Sequence, residues 1–245
     1  MFLDNKKKLL SIICVVLNSK DAFKKTIDSV REQDLTNVEV IVIDGNSIDG
    51  TIDEIKKNQD IINDFISESD SGIYQAMNKG IKKSDSHFLH FLNAGDIFFS
   101  KDSLDNLKEI LSDSPQQLLK FQYVINNKVK TEKLSWLFLS RRMMNHQSMI
   151  YHTTLFSDYL FDENLSFASD YKHLIDILPN LKIKYFMHPL IIFDTNFSSS
   201  DRKNISTIWR ERSKIILESS NLNFFYKYLI GYLSFFMSIF RKFFY

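Results

Sequence analysis

Four short apolar runs, 9–17, 38–43, 65–67 and 87–92, each stop at polar or acidic side chains: Asn18, Asp44, Glu68 with Asp70, and Asn93 with Asp96. Carboxylates gathered in one place repel each other unless a cation sits among them or ligand N–H and O–H groups bond to them. A hard divalent cation suits such a place, because Mg²⁺ and Mn²⁺ bind through one or two carboxylates and fill their shells with phosphate oxygens. Asp96 alone is then enough to anchor a cation on a diphosphate. The plain alternative is that each carboxylate caps the helix that follows it, a use Asp and Asn often have. Two later polar groups are Asn145-His146-Gln147-Ser148, in a polar loop, and Ser169-Asp170, which at a helix start is a natural cap and faces the same choice.

These residues share a rim only if the runs are neighbouring parallel strands, since ligands of an open parallel sheet sit outside the strands' carboxyl ends. The runs are short and nearly unbroken, the pattern of strands covered on both faces. Between them lie helical stretches. Phe23, Ile27 and Val30 recur at spacings of four and three, and Thr51-Ile52-Asp53-Glu54 reads as a capping box. A helix after Gly72 puts Ile73, Met77, Gly80 and Ile81 on one face. Repeated strand and helix with short connections predict an α/β fold, a mainly parallel sheet with helices on both sides.

Beyond residue 115 the alternation fades. Residues 121–125, Asn126-Asn127 and the stretch after Lys128 predict a hairpin, because Asn tolerates positive φ. Asp170 opens a helix with Tyr171, Leu174, Ile175 and Leu178 on its apolar side, and residues 181–193 read as a strand in which Pro189 marks an edge or a break. No internal repeat and no low-complexity linker divides the 245 residues, so two lobes of one unit are expected rather than separate domains.

Composition excludes several classes. With 31 basic and 30 acidic side chains the net charge is +1, which gives no basic stripe for nucleic acid. Neither a dinucleotide fingerprint nor a P-loop follows any run, and six glycines are too few for a glycine-lined phosphate cradle. Cys14, the one cysteine, has no partner for an internal disulfide, and His87, His90, His152 and His173 lack zinc-site spacing. Lys6-Lys7-Lys8 before an apolar run imitates a signal peptide, but no small-residue cleavage site follows, and the run is read as a buried first strand.

Residues 40–51, Val-Ile-Val-Ile-Asp-Gly-Asn-Ser-Ile-Asp-Gly-Thr, resemble the second-strand motif of the family 2 glycosyltransferases of the GT-A fold. Residues 68–81, from Glu68-Ser69-Asp70-Ser71-Gly72 to Gly80-Ile81, are similar to that family's next block and are the most specific match. Phe91-Leu92-Asn93-Ala94-Gly95-Asp96 resembles its metal-binding region, with Asn93 where many relatives carry an acid. Asn145-His146-Gln147-Ser148 and Ala168-Ser169-Asp170-Tyr171 match two later blocks in order.

The resemblance implies a Rossmann-like GT-A unit. Residues 1–115 would bind a nucleotide-sugar donor, and 116–220 would form a smaller acceptor-side half carrying the base. Asn18 and Asp44 would border the base and ribose, Asp70 and Asn78 would lie deeper in the donor pocket, and Asp96 would hold Mn²⁺ or Mg²⁺ on the diphosphate. Asp170 would be the general base, with His146 and Gln147 near the sugar or acceptor. The expected activity is inverting transfer of a hexose from a nucleotide sugar, UDP being the expected nucleotide, to a lipid-linked saccharide of the polyprenyl diphosphate type, in bacterial surface-polysaccharide synthesis. The competing readings are a nucleotidyltransferase and a catalytically inactive membrane-associated scaffold. Residues 221–245 are rich in aromatic rings, and thirteen uncharged residues separate Lys227 from Arg241, short of the ~20 that span a bilayer. They read as an amphipathic helical tail on the inner face of the cytoplasmic membrane, the enzyme itself being cytoplasmic.

Overall fold

The computed structural model describes residues 7–112, 116–195 and 204–222, together with Lys227, Tyr228 and Tyr232. The expected tail, 221–245, lies almost wholly outside the described residues. Among those described, no helix is long and apolar enough to cross a membrane.

The first four strands, β1 (Lys8–Val16), β2 (Val38–Asp44), β3 (Asp64–Ser67) and β4 (Ser86–Phe91), run parallel in the order β3-β2-β1-β4. Their connections are α1 (Lys20–Arg31), α2 (Thr51–Lys57) and α3 (Ile73–Lys83). Side chains of β1 alternate between two cores. Ile12, Cys14 and Val16 join Phe23, Ile27 and Val30 of α1, while Ile13 and Val15 join Met77 of α3 on the other face. Burial on both faces is why the runs are apolar without alternation, and each fully buried Val, Ile or Phe contributes roughly 1.5–3 kcal/mol. Gly80 lets α3 lie close on β1, since a Cβ there would come within 2.4 Å of Ile13 Cγ2.

Two local expectations fail. Thr51 does not form a capping box: the N-cap is Gly50, at φ 93°, and the Asp49 carboxylate instead accepts from the Thr51 and Lys20 amides at 3.0 Å each. Ile73 is 41% exposed, and the buried face of α3 is carried by Tyr74, Ala76, Met77, Asn78 and Gly80.

The second half extends the same sheet but makes it mixed. After β5 (Ile97–Phe98) and α4 (Ser103–Ser112), β6 (Leu118–Ile125) turns through Asn126 and Asn127, at φ 50° and 59°, into β7 (Lys128–Lys130), as the Asn pair predicted. Then follow α5 (Trp136–Arg141), β8 (Met149–His152), α6 (Ser169–Ile177), β9 (Ile183–Ile192) and α7 (Ile205–Glu218). The full order is β3-β2-β1-β4-β8-β6-β9-β5, with β7 beside β6. Only β8, β5 and β7 run against the rest, so the carboxyl ends of β6 and β9 reach the same rim as those of β1 to β4. Pro189 is a break rather than an edge: it pairs with Gln122 where the β6–β9 register shifts, with β5 beyond.

Candidate active site

Along this rim the polar endings form two neighbouring groups. The first joins the ends of β1, β2 and β3. The Asn18 amide donates to Ser47 Oγ at 2.7 Å while Asn18 Oδ1 accepts from the Ile48 amide at 2.9 Å. Asp44 is fully buried. Its Oδ2 accepts from the Asn46 and Ser47 amides and, at 2.6 Å, from the Ser67 hydroxyl, whereas its Oδ1 is buried with no hydrogen-bond partner. Asp70 accepts from the Gly72 amide at 3.0 Å, and its Oδ2 comes so near Gly45 that a Cβ there would stand 3.0 Å away. Asn78, expected in the donor pocket, is buried and bonded within the protein. Its amide bonds to both the N–H and the carbonyl of Phe161 and to Glu163, which uses its hydrogen-bonding capacity to pin that loop.

The second group surrounds a cleft of about 330 Å³ between the ends of β4, β6 and β9 and the starts of β8 and α6. Asp96, His146, Gln147 and Asp170 all line it, as do Asn93, Tyr74, Glu132 and Asp194. Asp170 is not a cap: α6 begins after Ala168 without a side-chain cap. Its carboxylate instead accepts from the Tyr74 hydroxyl at 3.1 Å and meets His146 Nδ1 at 3.1 Å. Burial, and then the charge of Asp170, push the Tyr74 phenol well above its usual range, so it stays a donor. His146 Nε2 is buried without a partner.

Asp96 is 2% exposed, and its Oδ1 accepts from the Asp194 amide at 2.9 Å. Burial pushes its carboxyl up to about 8; the Asp194 amide opposes that shift and the Asp194 charge adds to it. The oxygen donors here are Asp96, Asp194 and Asn93 Oδ1, the last buried without a partner. An all-oxygen set of one or two carboxylates fits a hard cation that takes its remaining ligands from phosphate and water. Among the described residues, no three His, Cys, Asp or Glu side chains converge to hold a metal by themselves.

Several residues of this site went unread in the sequence. Asp194 follows the last strand just as Asp44 ends the second, and the strand-end rule, carried to β9, would have found it. Thr26 sits on the buried face of α1, accepts from the Gly95 amide at 2.8 Å and donates to the Asp96 carbonyl at 2.8 Å; its signal was a hydroxyl on an apolar stripe. Glu132 takes bonds from the Asn145 amide, the Tyr123 hydroxyl and the buried Lys120, at 2.9–3.0 Å, and so sets the loop that carries His146. Nothing in its local sequence marks it.

Residues 11–165 match the model of the family described as glycosyl transferase family 2. The chain belongs to that family. Its relatives include the PGL/p-HBAD biosynthesis glycosyltransferase of Mycobacterium tuberculosis (strain H37Ra), 25% identical over 158 residues, which are 60% of this chain and 60% of that one. The putative teichuronic acid biosynthesis glycosyltransferase TuaG of Bacillus subtilis (strain 168) is 30% identical over 112 residues, 44% of each chain. The match thus spans less than two thirds of either relative. Among solved structures, S. aureus TarS 1-349 superposes with a TM-score of 0.71 at 19% identity, over 93% of this chain and 70% of that one. The mannosyltransferase PcManGT from Pyrobaculum calidifontis, solved with GDP-Man and Mn²⁺, gives 0.69 at 13% identity, over 91% and 69%. At these identities the likeness establishes the fold, and it is GT-A. In this family 2 chain, Asp170, Asp194 and α7 all lie beyond the matched segment.

Proposed function

We propose that the chain is an inverting hexosyltransferase that uses a nucleotide sugar, with UDP as the nucleotide, to extend a lipid-linked saccharide during assembly of a bacterial surface polysaccharide. The observation that carries this reading is one cleft holding Asp96 with Asp194 on one side and Asp170, gripped by Tyr74 and His146, on the other. Support comes from relatives named for PGL/p-HBAD biosynthesis and for teichuronic acid biosynthesis, and the TarS and PcManGT structures include complexes with UDP-GlcNAc and with GDP-Man and Mn²⁺.

In this reading Asn18, Asp44 and Asp70 receive the nucleoside end of the donor. The partnerless Asp44 Oδ1 supports that use, because a buried acceptor left without a bond is costly and a base N–H would satisfy it. Asp96, Asp194 and Asn93 would hold Mn²⁺ or Mg²⁺, which when bound neutralises charge building up on the leaving diphosphate. Asp170 takes the proton of the acceptor hydroxyl as that oxygen bonds to the anomeric carbon from the face opposite the diphosphate. The carbon–oxygen bond to the diphosphate breaks with its electron pair, and the anomeric centre inverts. The Tyr74 hydroxyl and His146 Nδ1 fix the carboxylate's direction. Gln147 and His146 line the space open to the sugar or acceptor. The enzyme would work in the cytoplasm at the inner membrane face, with residues 223–245 meeting the lipid; Asn221 and Leu222, counted in the expected tail, belong to the folded body.

The test measures nucleotide diphosphate release from a panel of UDP- and GDP-sugars with Mn²⁺. Asp170→Asn should bind the active donor within about twofold of wild type and turn over at least ~10²-fold more slowly. Turnover close to wild type in that variant would remove Asp170 from the chemistry, and no release from any donor would favour the scaffold reading.

A further inference from the structure

Asp170 stands at the start of a helix that has no side-chain cap of its own, since the N-cap position is Ala168. The turn leading into α6 is held instead by a side chain of α7. Glu211 Oε1 accepts from the Ser166 amide at 2.9 Å, and Oε2 accepts from the Phe167 and Ala168 amides at 3.0 Å each. One carboxylate thus holds the three successive amides that lead into Ser169-Asp170, at the positive end of the α6 dipole where an anion is favoured. Ser166 and Phe167 themselves form part of the cleft wall.

The next residue braces the other side. The buried Arg212 guanidinium lies over the Tyr171 ring, 5.0 Å from its centroid, and donates to the carbonyls of Leu139 and Arg142. Tyr171 also donates to the Leu139 carbonyl, at 2.8 Å. Residues 143–147, which bring His146 to Asp170, continue from that point.

We propose that Glu211, seconded by Arg212, is a positioning residue for Asp170: α7 is part of the catalytic apparatus, supplying from outside α6 the clamp on residues 166–168 that fixes the carboxylate against His146 and Tyr74. The proposal rests on Asp170 being the base, and its test separates the two ideas. The first readout needs no substrate. In wild type the ¹⁵N spectrum of the His146 imidazole, assigned with His146→Gln, should show one fixed tautomer with its proton on Nδ1. Glu211→Ala should average that signal while the protein stays folded by circular dichroism. Glu211→Gln keeps one acceptor oxygen and should fall between. The second readout is nucleotide release from whichever UDP- or GDP-sugar supports it. Glu211→Ala should slow kcat by about 10²-fold with donor KM within twofold, a loss typical of ångström-scale misplacement of a reacting group. On an Asp170→Asn background it should cost nothing more. An unchanged His146 spectrum overturns the proposal. So does an equal further loss on the Asp170→Asn background, or unfolding of both Glu211 variants, either of which makes α7 a general structural prop. Full activity of Asp170→Asn would instead overturn the assignment of the base.

Discussion

Asp96 is buried beside a second carboxylate, and burial already drives its carboxyl toward the neutral form. A cation reverses that balance, so the site should respond sharply to metal. EDTA should abolish nucleotide release and Mn²⁺ or Mg²⁺ should restore it, while Asp96→Asn should fold normally and lose most activity at any metal concentration. Activity indifferent to chelator would dismiss the cation. At this scale the sequence was legible where chemistry ends a strand, which is how Asp44, Asp70 and Asp96 were found. Asp170 and His146 came from motif resemblance, and their contact across 24 positions could not be read locally. Asn78 shows the limit from the other side. The motif places it at the donor, and its hydrogen bonds go to Phe161 and Glu163, a demand made by a loop more than eighty residues away.

Elements hold the site through a few polar stitches between helix and loop. The stitch from α1 is Thr26, which bonds both Gly95 and Asp96 from a fully buried position. Thr26→Val keeps the shape and removes the hydroxyl, leaving the Gly95 amide without its partner. Urea unfolding should show a loss of roughly 1–3 kcal/mol, and the Mn²⁺ concentration needed for half-maximal activity should rise. A destabilised variant with unchanged metal response would confine Thr26 to fold stability. The strands and helices of the first half were legible because period and length agree there. The second half was less so: β6 and β9 join β8 and β5 across long sequence gaps, and nothing in a single strand states whether its neighbour will run with it or against it. The capping box at Thr51 failed for a related reason, since Asp49 lies two residues earlier and also serves the Lys20 amide of another helix.

The whole molecule should be sensitive to acid through two buried imidazoles. Burial lowers His90 and His173 to about 4 each, against ~6.5 in an unfolded chain, with bonds to the Gln147 and Leu155 carbonyls opposing the shift. Between those values the unfolded chain binds more protons, so the stability these groups provide is complete above pH ~6.5 and is lost as pH falls toward 4. Two imidazoles alone give about 2.7 kcal/mol per pH unit. The Asp96 carboxyl, raised to about 8 by burial, takes up a proton in the fold over the same range and offsets about half, so urea-derived stability should fall by about 1.4 kcal/mol per pH unit between pH 6 and 4.5. A flat profile there would mean that the imidazoles protonate within the fold. The aromatic tail gives a second test. Leu222 is buried in the core and Asn221 bonds to the Asp176 carbonyl at 2.9 Å, so a clean cut falls after Leu222. The shortened chain should fold, still release nucleotide, and no longer pellet with anionic liposomes that the full chain binds at low salt. Equal pelleting of both would refute the membrane reading.

On the ribosome, β1 to β4 can pair as soon as residue 91 is free, since each needs only partners that precede it. β9 then has to enter between β6 and β5, two strands made long before it. Until it does, Asp96 has no Asp194 amide to accept from, and the rim above β4 has no far wall. A nascent chain, which folds from its N-terminus, would therefore present the loops proposed to receive the nucleoside well ahead of any cleft and, on that proposal, could hold a nucleotide sugar without the means to break it down. On the proposed function, competence arrives only after the last strand, with α7, so unfinished chains would sequester donor rather than waste it.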